Sequence, residues 1–282
     1  MKHGLVLEGG AMRGLFTAGV TDVMLEHGVT YDGIVGVSAG AVFGCNYKSR
    51  QPGRVLRYNL RFCRDPRYCS VRSWAKTGDL YGADFCYRAI PDELDPFDRT
   101  AYAADPMDFW VVCTDADTGK PVYHNCLRGD ENDLIWMRAS ASMPLASRVV
   151  EVDGYRLLDG GVSDSIPLRK ARALGFEKCV VVLTQPLGYV KGKNKALPIM
   201  RKALRKYPKL LDAMARRQDM YNETVAYIRS EERAGRVFVI RPEAALDIGK
   251  IEHDPEKIQS AYDQGRAVGE KRLPALLAFL QD

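Results

Sequence analysis

The chain has 282 residues, of which 46% are apolar and 27% charged, so it can bury one large core and has the composition of an ordinary globular protein. Its net charge of +5 is too small to predict nucleic-acid binding, and no apolar run reaches the roughly 18 residues that a membrane-spanning helix needs. The residues before Glu8 do not have the pattern of a secretory signal. We therefore expect a cytoplasmic protein, either free or peripheral to the inner membrane.

The cysteines and histidines bear on disulfides and metals. The seven cysteines are irregularly spaced and form no C-x-x-C pair, which predicts free thiols in a reducing compartment. None of the four histidines stands at metal-ligand spacing from another histidine or from a cysteine. We expect no metal site and no cofactor.

The first elements predict a parallel sheet. A buried strand over Gly4–Leu7 leads into the loop Gly9-Gly10-Ala11-Met12-Arg13-Gly14, which is followed by a helical pattern over 15–27. A second buried strand then runs from Asp32 to Val37. Strand, loop, helix and strand in succession form a βαβ unit, and such units build parallel sheets.

Two interpretations compete for the glycine-rich loop. It resembles a weak dinucleotide fingerprint with Asp32 as the acidic partner, but the second strand runs on into a serine turn instead of ending in that acid. We favour an oxyanion cradle over residues 9–14, in which the amides of Gly10 and Ala11 point at developing negative charge and Arg13 adds a cation. A purely structural turn is the alternative.

A serine lies between the second strand and the second helix. The run Gly36-Val37-Ser38-Ala39-Gly40 joins the buried strand to a helix of small residues, and G-x-S-x-G in that position is the pattern of a nucleophile elbow. Glycine at 36 and 40 avoids collisions of a Cβ with the neighbouring strand and helix, and the helix N-terminus favours negative charge at the serine. We predict that Ser38 is a nucleophile; a structural Gly-Ser turn is the alternative.

Residues 51–106 are rich in arginine, aromatic residues and proline, and their pattern predicts short helices over 54–62 and 82–90. We expect this segment to cap the sheet beside the serine and to supply an acyl pocket. The alternative is a connector with a solvated basic face.

The middle of the chain completes an α/β unit. Its pattern predicts strands over 109–114, 120–127 and 178–183, helices over 131–143 and 167–174, and a hairpin of 149–152 with 155–158. The hairpin ends in Asp159-Gly160-Gly161, an acid at the end of a strand followed by two flexible residues.

The composition changes after Gly188. Eight basic residues and no acidic one lie in the run 191–209, and the pattern beyond predicts helices over 208–234, 255–269 and 274–280 and a strand over 237–240. The basic run suits an anionic membrane surface, at about 1 kcal/mol per basic residue, and suits equally an exposed helix that keeps the protein soluble. It lacks the interleaved aromatic residues of a stacking surface, so we expect no nucleic-acid partner.

A serine nucleophile needs a general base, and two arrangements compete. Ser38, Asp159 and His253 occur in the order of an α/β-hydrolase triad, but Ser38 follows only two strands and His253 lies in a polar stretch without a preceding strand. His124 precedes Asp159, within a predicted hairpin. The other arrangement is Asp159 acting directly on Ser38. An aspartate with an ordinary pKa of ~3.9 is a weak base, so the site must desolvate it.

The loop over 9–14, the Ser38 elbow and the Asp159-Gly160-Gly161 turn, in this order, resemble the patatin-like phospholipase family. The helix end Ala-Ser-Ala-Ser-Met-Pro over 139–144 is similar to that family too. The resemblance covers about residues 2–183, and the rest resembles the C-terminal extension of bacterial members. It implies a three-layer α/β/α sandwich with a mainly parallel sheet, a Ser38–Asp159 dyad and metal-independent hydrolysis of lipid acyl esters. One departure is Ala11, where the family usually has glycine; an alanine at positive φ costs about 1 kcal/mol or more, and we expect its methyl group to crowd the oxyanion.

We accordingly expect a patatin-like catalytic domain over 2–185 and a mostly helical extension over 186–282 packed on it. The predicted function is a serine acyl hydrolase that cleaves fatty-acyl esters of (lyso)phospholipids or related lipids through an acyl-enzyme. An esterase with a Ser38–Asp159–His253 triad and a lipid-binding module with weak or no catalysis are the alternatives. The predicted partners are a lipid acyl-ester substrate and, through residues 191–209, an anionic membrane surface.

Overall fold

The computed structural model describes residues 1–281, and a single mixed sheet runs through it. Its strands are, in chain order, β1 His3–Leu7, β2 Gly33–Val37, β3 Asp108–Asp115, β4 Pro121–Asn125, β5 Val150–Val152, β6 Tyr155–Asp159, β7 Lys178–Val182 and β8 Val237–Ile240. The strands pair in the succession β5-β6-β3-β2-β1-β7-β8, and β2 and β6 follow one another along one edge of β3 while β4 pairs with its other edge. The five strands β3, β2, β1, β7 and β8 run parallel, whereas β4 and β6 run antiparallel to β3.

Helices connect these strands. They are α1 Gly14–Glu26, α2 Ala39–Lys48, α3 Arg54–Phe62, α4 Val71–Thr77, α5 Arg99–Ala104, α6 Glu131–Ser140, α7 Leu168–Ala173, α8 Leu197–Ala203, α9 Pro208–Arg233 and α10 Pro255–Gln281, with a wider π-type helix over Phe85–Leu94 and 3₁₀ turns over Ala11–Arg13 and Gly160–Val162. The helix predicted over 82–90 is therefore displaced toward the C-terminus and wider than predicted, and it contains Pro91, which lacks a backbone donor.

The sheet is buried on both faces, because successive residues of each strand point to opposite sides. In β1, Leu5 and Leu7 join a core with α1, α2 and α10, whereas Val6 joins a second core with α7 and α9. Two cores on one sheet make a three-layer α/β/α sandwich. The predicted fold class, with a mainly parallel sheet and a helical C-terminal part, is confirmed.

The C-terminal part packs tightly on the rest. β8 extends the sheet beside β7, and α10 crosses α1 so closely that a Cβ on Gly19 would lie 2.2 Å from the Tyr262 carbonyl oxygen. The prediction of two helices over 255–269 and 274–280 is wrong, since α10 is continuous and contains Pro274. Packing against α1 and β8 outweighs the local preference of proline to end a helix. The boundary at residue 185 stays a prediction. Among residues 1–281 no helix has both the length and the apolar character needed to span a bilayer.

Candidate active site

Ser38 forms the turn between β2 and α2, with a backbone that L-residues rarely adopt, at φ 53° and ψ −119°. The two motif glycines allow this turn. A Cβ on Gly36 would lie 2.5 Å from the carbonyl oxygen of Gly40, and a Cβ on Gly40 would lie 2.4 Å from the carbonyl oxygen of Leu7 in β1. No side chain fits at those distances, so close approach of strand, helix and β1 requires glycine at both positions.

The register of three strands explains why Asp159 meets Ser38. β2 pairs with β3 and ends with Val37 opposite Val112. β6 pairs with β3 from the opposite direction and ends with Asp159 opposite Cys113. β4 occupies the other edge of β3 there, so β2 and β6 share one edge and their ends meet at neighbouring residues of β3. The Ser38 Oγ donates a hydrogen bond of 2.7 Å to Asp159 Oδ2 across a sequence separation of 121 residues.

The surroundings of Asp159 favour its action as a base. The side chain is buried, and its Oδ1 accepts a 2.7 Å hydrogen bond from the Gly161 amide. Burial raises the pKa of this carboxyl group, while the positive charge of Arg217 and the hydrogen bonds from Ser38 and Gly161 act in the opposite direction. A buried carboxylate with a raised pKa accepts a proton more readily than an ordinary aspartate.

The glycines after Asp159 permit a tight turn. A Cβ on Gly160 would lie 2.1 Å from the carbonyl oxygen of Val112, and one on Gly161 would lie 3.0 Å from Asp159 Oδ1 and 3.2 Å from an Arg217 guanidinium nitrogen. Residues 160 and 161 therefore lie between β3, the carboxylate and α9, where only glycine fits without a shift.

The glycine-rich loop lies against the elbow. A Cβ on Gly9 would lie 3.1 Å from the Ser38 Cβ, and one on Gly14 would lie 2.7 Å from the Ala39 Cβ. The amides of Gly10 and Ala11 donate a hydrogen bond to no group among residues 1–281. These amides are therefore available as donors beside the serine.

Two residues of this loop need separate comment. Ala11 has φ 50°, in the left-handed region that disfavours alanine. Arg13 is not part of the wall of the cavity at Ser38, and its charge instead lowers the pKa of Glu8, which burial raises. The structure thus places Ala11 in the wall of the cavity at Ser38, where Arg13 takes no part.

An apolar cavity opens at Ser38. Much of its wall comes from residues 51–106, as expected for a capping segment, including Tyr58, Tyr68, Tyr81, Ile90 and Phe97. The alternative, a solvated basic face, is wrong for Arg54, which is buried in this wall with its Nε 3.3 Å from Asp95 Oδ1.

The histidines are engaged elsewhere. His253 Nδ1 lies 2.5 Å from the Cys63 carbonyl oxygen, at the end of α3. The His124 ring stacks on Trp136 at a centroid distance of 4.3 Å. Neither histidine hydrogen-bonds to Ser38 or Asp159, so the structure does not form the triad considered from the sequence.

One set of three metal-donor side chains comes together within residues 1–281, and it fits a metal poorly. Donor atoms of His124, Cys126 and Asp133 lie within 4.8 Å of one another. The Asp133 Oδ2 already accepts the amides of Arg128 and Gly129. Burial raises the pKa of the Cys126 thiol well above its usual value, which disfavours the thiolate that binds metals.

Sequence reasoning missed several residues that support the pair. Ser140 Oγ accepts the Ser38 amide at 2.8 Å and donates to the Val112 carbonyl oxygen at 2.6 Å, which ties the elbow to β3. Its signal was the Ala-Ser-Ala-Ser-Met-Pro helix end. Arg217, whose Nε donates to the Gly161 carbonyl oxygen at 2.6 Å, had no local signal because it lies on α9, far along the chain.

Comparisons with known proteins identify the family of this chain. The model of the Patatin-like phospholipase family matches residues 5–172, and a Domain of unknown function, DUF6363, matches residues 207–281. The uncharacterized protein YjjU of Escherichia coli is 32% identical over 190 residues, which are 64% of this chain and 52% of YjjU. Lysophospholipase NTE1 of Candida glabrata is 29% identical over 272 residues, which are 88% of this chain and 15% of NTE1.

This chain thus spans about half of YjjU and a small part of NTE1. Among solved structures, VipD from Legionella pneumophila is similar with a TM-score of 0.46 and 12% identity, covering 97% of this chain and 67% of VipD. The family match takes in the glycine-rich loop, the elbow and the Asp159 turn, and it confirms the predicted family. The chain belongs to the patatin-like phospholipase family.

Proposed function

We propose that this chain hydrolyses fatty-acyl esters of lysophospholipids or related lipids, with Ser38 as nucleophile and Asp159 as its base. The observation that carries the proposal is the 2.7 Å hydrogen bond from the Ser38 Oγ to a buried carboxylate, formed at the opening of an apolar cavity. The name of the NTE1 relative, a lysophospholipase, supports the substrate class.

The reaction proceeds in two steps that use the same groups. The Ser38 Oγ attacks the ester carbonyl carbon while its proton passes to Asp159, and the proton then goes to the departing alcohol as the acyl-enzyme forms. Water attacks the acyl-enzyme, gives its proton to Asp159, and the released Ser38 oxygen recovers that proton as the fatty acid leaves. No cofactor takes part in this sequence.

The negative oxygen of each tetrahedral intermediate needs donors. The amides of Gly10 and Ala11 supply them, together with the N-terminus of α2, which begins directly after Ser38. Arg13 adds a positive charge at longer range, as its lowering effect on the pKa of Glu8 indicates. An apolar cavity excludes water from the ester, and exclusion of water strengthens these interactions.

The proposal includes contact with an anionic membrane surface through the basic run 191–209. The same part of the chain exposes three large apolar side chains, Leu187 at 69%, Val190 at 71% and Ile199 at 67%. Exposed apolar residues beside lysines and arginines are typical of segments that rest on a bilayer surface.

Labelling with a fluorophosphonate tests the nucleophile. The wild-type chain should be labelled, and Ser38→Ala should not be. Ser49→Ala, which removes a buried serine at the far end of α2, is the matched control and should be labelled like wild type. Labelling of Ser38→Ala would exclude Ser38.

Turnover of a p-nitrophenyl acyl ester tests the base. Asp159→Asn should lose about 10³-fold or more in kcat while folding normally, and His253→Ala should keep wild-type turnover. Wild-type turnover in Asp159→Asn together with a loss of turnover in His253→Ala would indicate that a histidine is the base. A wild-type rate no higher than that of Ser38→Ala would indicate a lipid-binding module.

A further inference from the structure

The helix α9 lies across the strand ends that carry the candidate site. Arg217 and Tyr221 are four residues apart and so lie on one face of this helix. The Arg217 Nε donates to the Gly161 carbonyl oxygen at 2.6 Å, and the Tyr221 hydroxyl donates to Glu8 Oε1 at 2.7 Å. Gly161 follows the base, and Glu8 precedes the oxyanion loop. The C-terminal part of the chain therefore borders both halves of the site.

Four cations from four separate segments surround this border: Arg13, Lys191, Arg217 and Lys250. Within residues 1–281, none of them lies within 4 Å of a carboxylate. Arg54 in the cavity wall, by contrast, is paired with Asp95. The Arg13 Nε is buried and has no hydrogen-bond partner among the same residues. The buried carboxylates of Glu8 and Asp159 offset part of this positive charge, and a bound anion would offset more of it.

Contacts connect these cations to the site. The Lys191 Nζ lies 4.2 Å from the centre of the Tyr221 ring, and the Tyr221 hydroxyl donates a hydrogen bond to Glu8. The Lys250 carbonyl oxygen lies 3.5 Å from the hydroxyl of Tyr81, which lines the apolar cavity. Arg217 donates a hydrogen bond to the Gly161 carbonyl oxygen, and the Gly161 amide donates one to the Asp159 carboxylate. The Lys191 and Arg217 side chains therefore lie beside the groups that contact Glu8 and Asp159, and the Lys250 main chain contacts the wall of the apolar cavity.

The mutual influence of these charges agrees with the contacts. Burial, together with the positive charges of Arg217, Arg13 and Lys250, lowers the pKa of Lys191 to about 8. Arg217 and Lys250 also act on Asp159, where they lower a pKa that burial raises. A bound anion would relieve the repulsion and favour a fully charged Lys191.

We propose that Lys191, Arg217 and Lys250, with Arg13, bind the phosphate group of a lysophospholipid whose acyl chain occupies the apolar cavity. This inference rests on the proposed hydrolysis and specifies its substrate. A phosphate carries one or two negative charges and several acceptor oxygens, which match a set of separated cationic donors. A neutral glyceride has no group for this site, so the C-terminal segment selects between the two kinds of lipid.

Paired substrates with one acyl chain test the site. We would compare kcat/KM for 1-lauroyl-lysophosphatidic acid and 1-monolauroylglycerol, both below their micelle concentrations. The double variant Lys191→Ala/Lys250→Ala should lose about 10- to 100-fold on the phosphate-bearing lipid, mainly through KM. Lys2→Ala removes one exposed positive charge at the amino end of β1, at the opposite end of the strands from the site, and should behave like wild type. An equal loss on both lipids would overturn the proposal.

Two further measurements separate the possible outcomes. Inorganic phosphate should inhibit monolauroylglycerol hydrolysis only at concentrations at least tenfold above the KM for lysophosphatidic acid. Inhibition at the same concentration would assign the site to the free ion and overturn the headgroup assignment. Calorimetric titration of Ser38→Ala with lysophosphatidic acid measures binding without turnover. Adding Lys191→Ala/Lys250→Ala to this variant should weaken the binding about tenfold, which would support the site even if neither lipid is hydrolysed. Equal binding by the two proteins would overturn the proposal.

Discussion

Replacing Gly40 by alanine is expected to damage stability and activity, whereas the same change at Gly44 in α2 is expected to be nearly neutral. Both new Cβ atoms would meet Leu7 of β1. At Gly40 the contact is 2.4 Å to the carbonyl oxygen, which is part of a central strand, and at Gly44 it is 2.5 Å to the Cδ1 methyl group. A methyl group at the end of a side chain can turn away, but the backbone of a central strand cannot.

These contacts set the magnitudes. The Gly40 contact must grow from 2.4 Å to at least 3.0 Å, so α2 and β1 must separate by 0.6 Å. Overpacking of this kind costs about 1–3 kcal/mol, and the higher helix propensity of alanine offsets up to about 1 kcal/mol, which leaves a net loss of about 1–2 kcal/mol. At Gly44 an off-rotamer Leu7 costs about 0.5–1.5 kcal/mol, which the same propensity offsets.

Urea unfolding and ester hydrolysis check this pair of variants. Gly40→Ala should unfold with about 1–2 kcal/mol less stability than Gly44→Ala, or at a Tm about 2–4 °C lower. Its kcat should fall at least about tenfold, because a shift of α2 displaces Ser38 and the donors that follow it. Equal stability and equal rates in the two variants would refute the close-approach explanation of the second motif glycine.

Four further predictions concern the site and its surface. As the pH decreases, the rate on a neutral ester should begin to fall at a pH higher than the range in which an ordinary aspartate titrates, because burial raises the pKa of Asp159. Arg217→Gln removes a positive charge that lowers this pKa, so the acid limb of its pH profile should lie at higher pH than in wild type. An unmoved limb would contradict the role of Arg217. Ala11→Gly should raise kcat and change the free energy of unfolding by less than about 1 kcal/mol. Glycine relieves the strain of the left-handed backbone in the folded state but also increases the entropy of the unfolded chain, and these effects oppose each other. A lower kcat would show that the Ala11 methyl group does not crowd the oxyanion. Leu187→Ser/Ile199→Ser should reduce co-sedimentation with phosphatidylglycerol vesicles, and unchanged co-sedimentation would exclude this patch as the contact. Chelation by EDTA should leave hydrolysis unchanged, and a loss restored by added metal would contradict the reaction sequence.

The sequence predicted the parts of the fold that local patterns determine. Apolar runs bounded by glycines placed β1, β2 and β7, and the turn signal Asp153-Gly154 placed the hairpin, whose two turn residues have φ 48° and 81°. The elbow followed from a motif whose spacing has a steric cause. These features depend on residues that are close together in the chain, so one sequence suffices to predict them.

Tertiary contacts decided what the sequence did not reveal. The continuous α10 depends on its packing against α1, where a Cβ on Gly265 would lie 2.1 Å from the Phe16 carbonyl oxygen. The sequence suggested Ser38 and Asp159 as partners but gave no register. Their meeting depends on β6 running antiparallel along the same edge of β3 as β2, and strand register is a property of the assembled sheet.

The place of β2 in the sheet explains how a serine so early in the chain meets groups from later parts of it. Ser38 follows only two strands, which is early for an elbow, but the order in the sheet places β2 between β1 and β3, at its centre. Position in the sheet, and not position in the chain, determines which groups a strand end meets. The serine therefore lies where the oxyanion loop after β1 and the acid at the end of β6 both reach it.

The same logic applies to the C-terminal part. The family match ends at residue 172, yet Arg217 and Tyr221 of the second matched stretch contact Gly161 and Glu8, which flank Asp159 and the glycine-rich loop. α9 packs into two cores, through Tyr221 and Ile228 in one and through Leu210 and Met214 in the other, and β8, which follows α9, pairs with β7. A helix held in this way can place charges beside the serine as rigidly as the loops of the first stretch do, because its position is fixed by the sheet and not by a flexible linker.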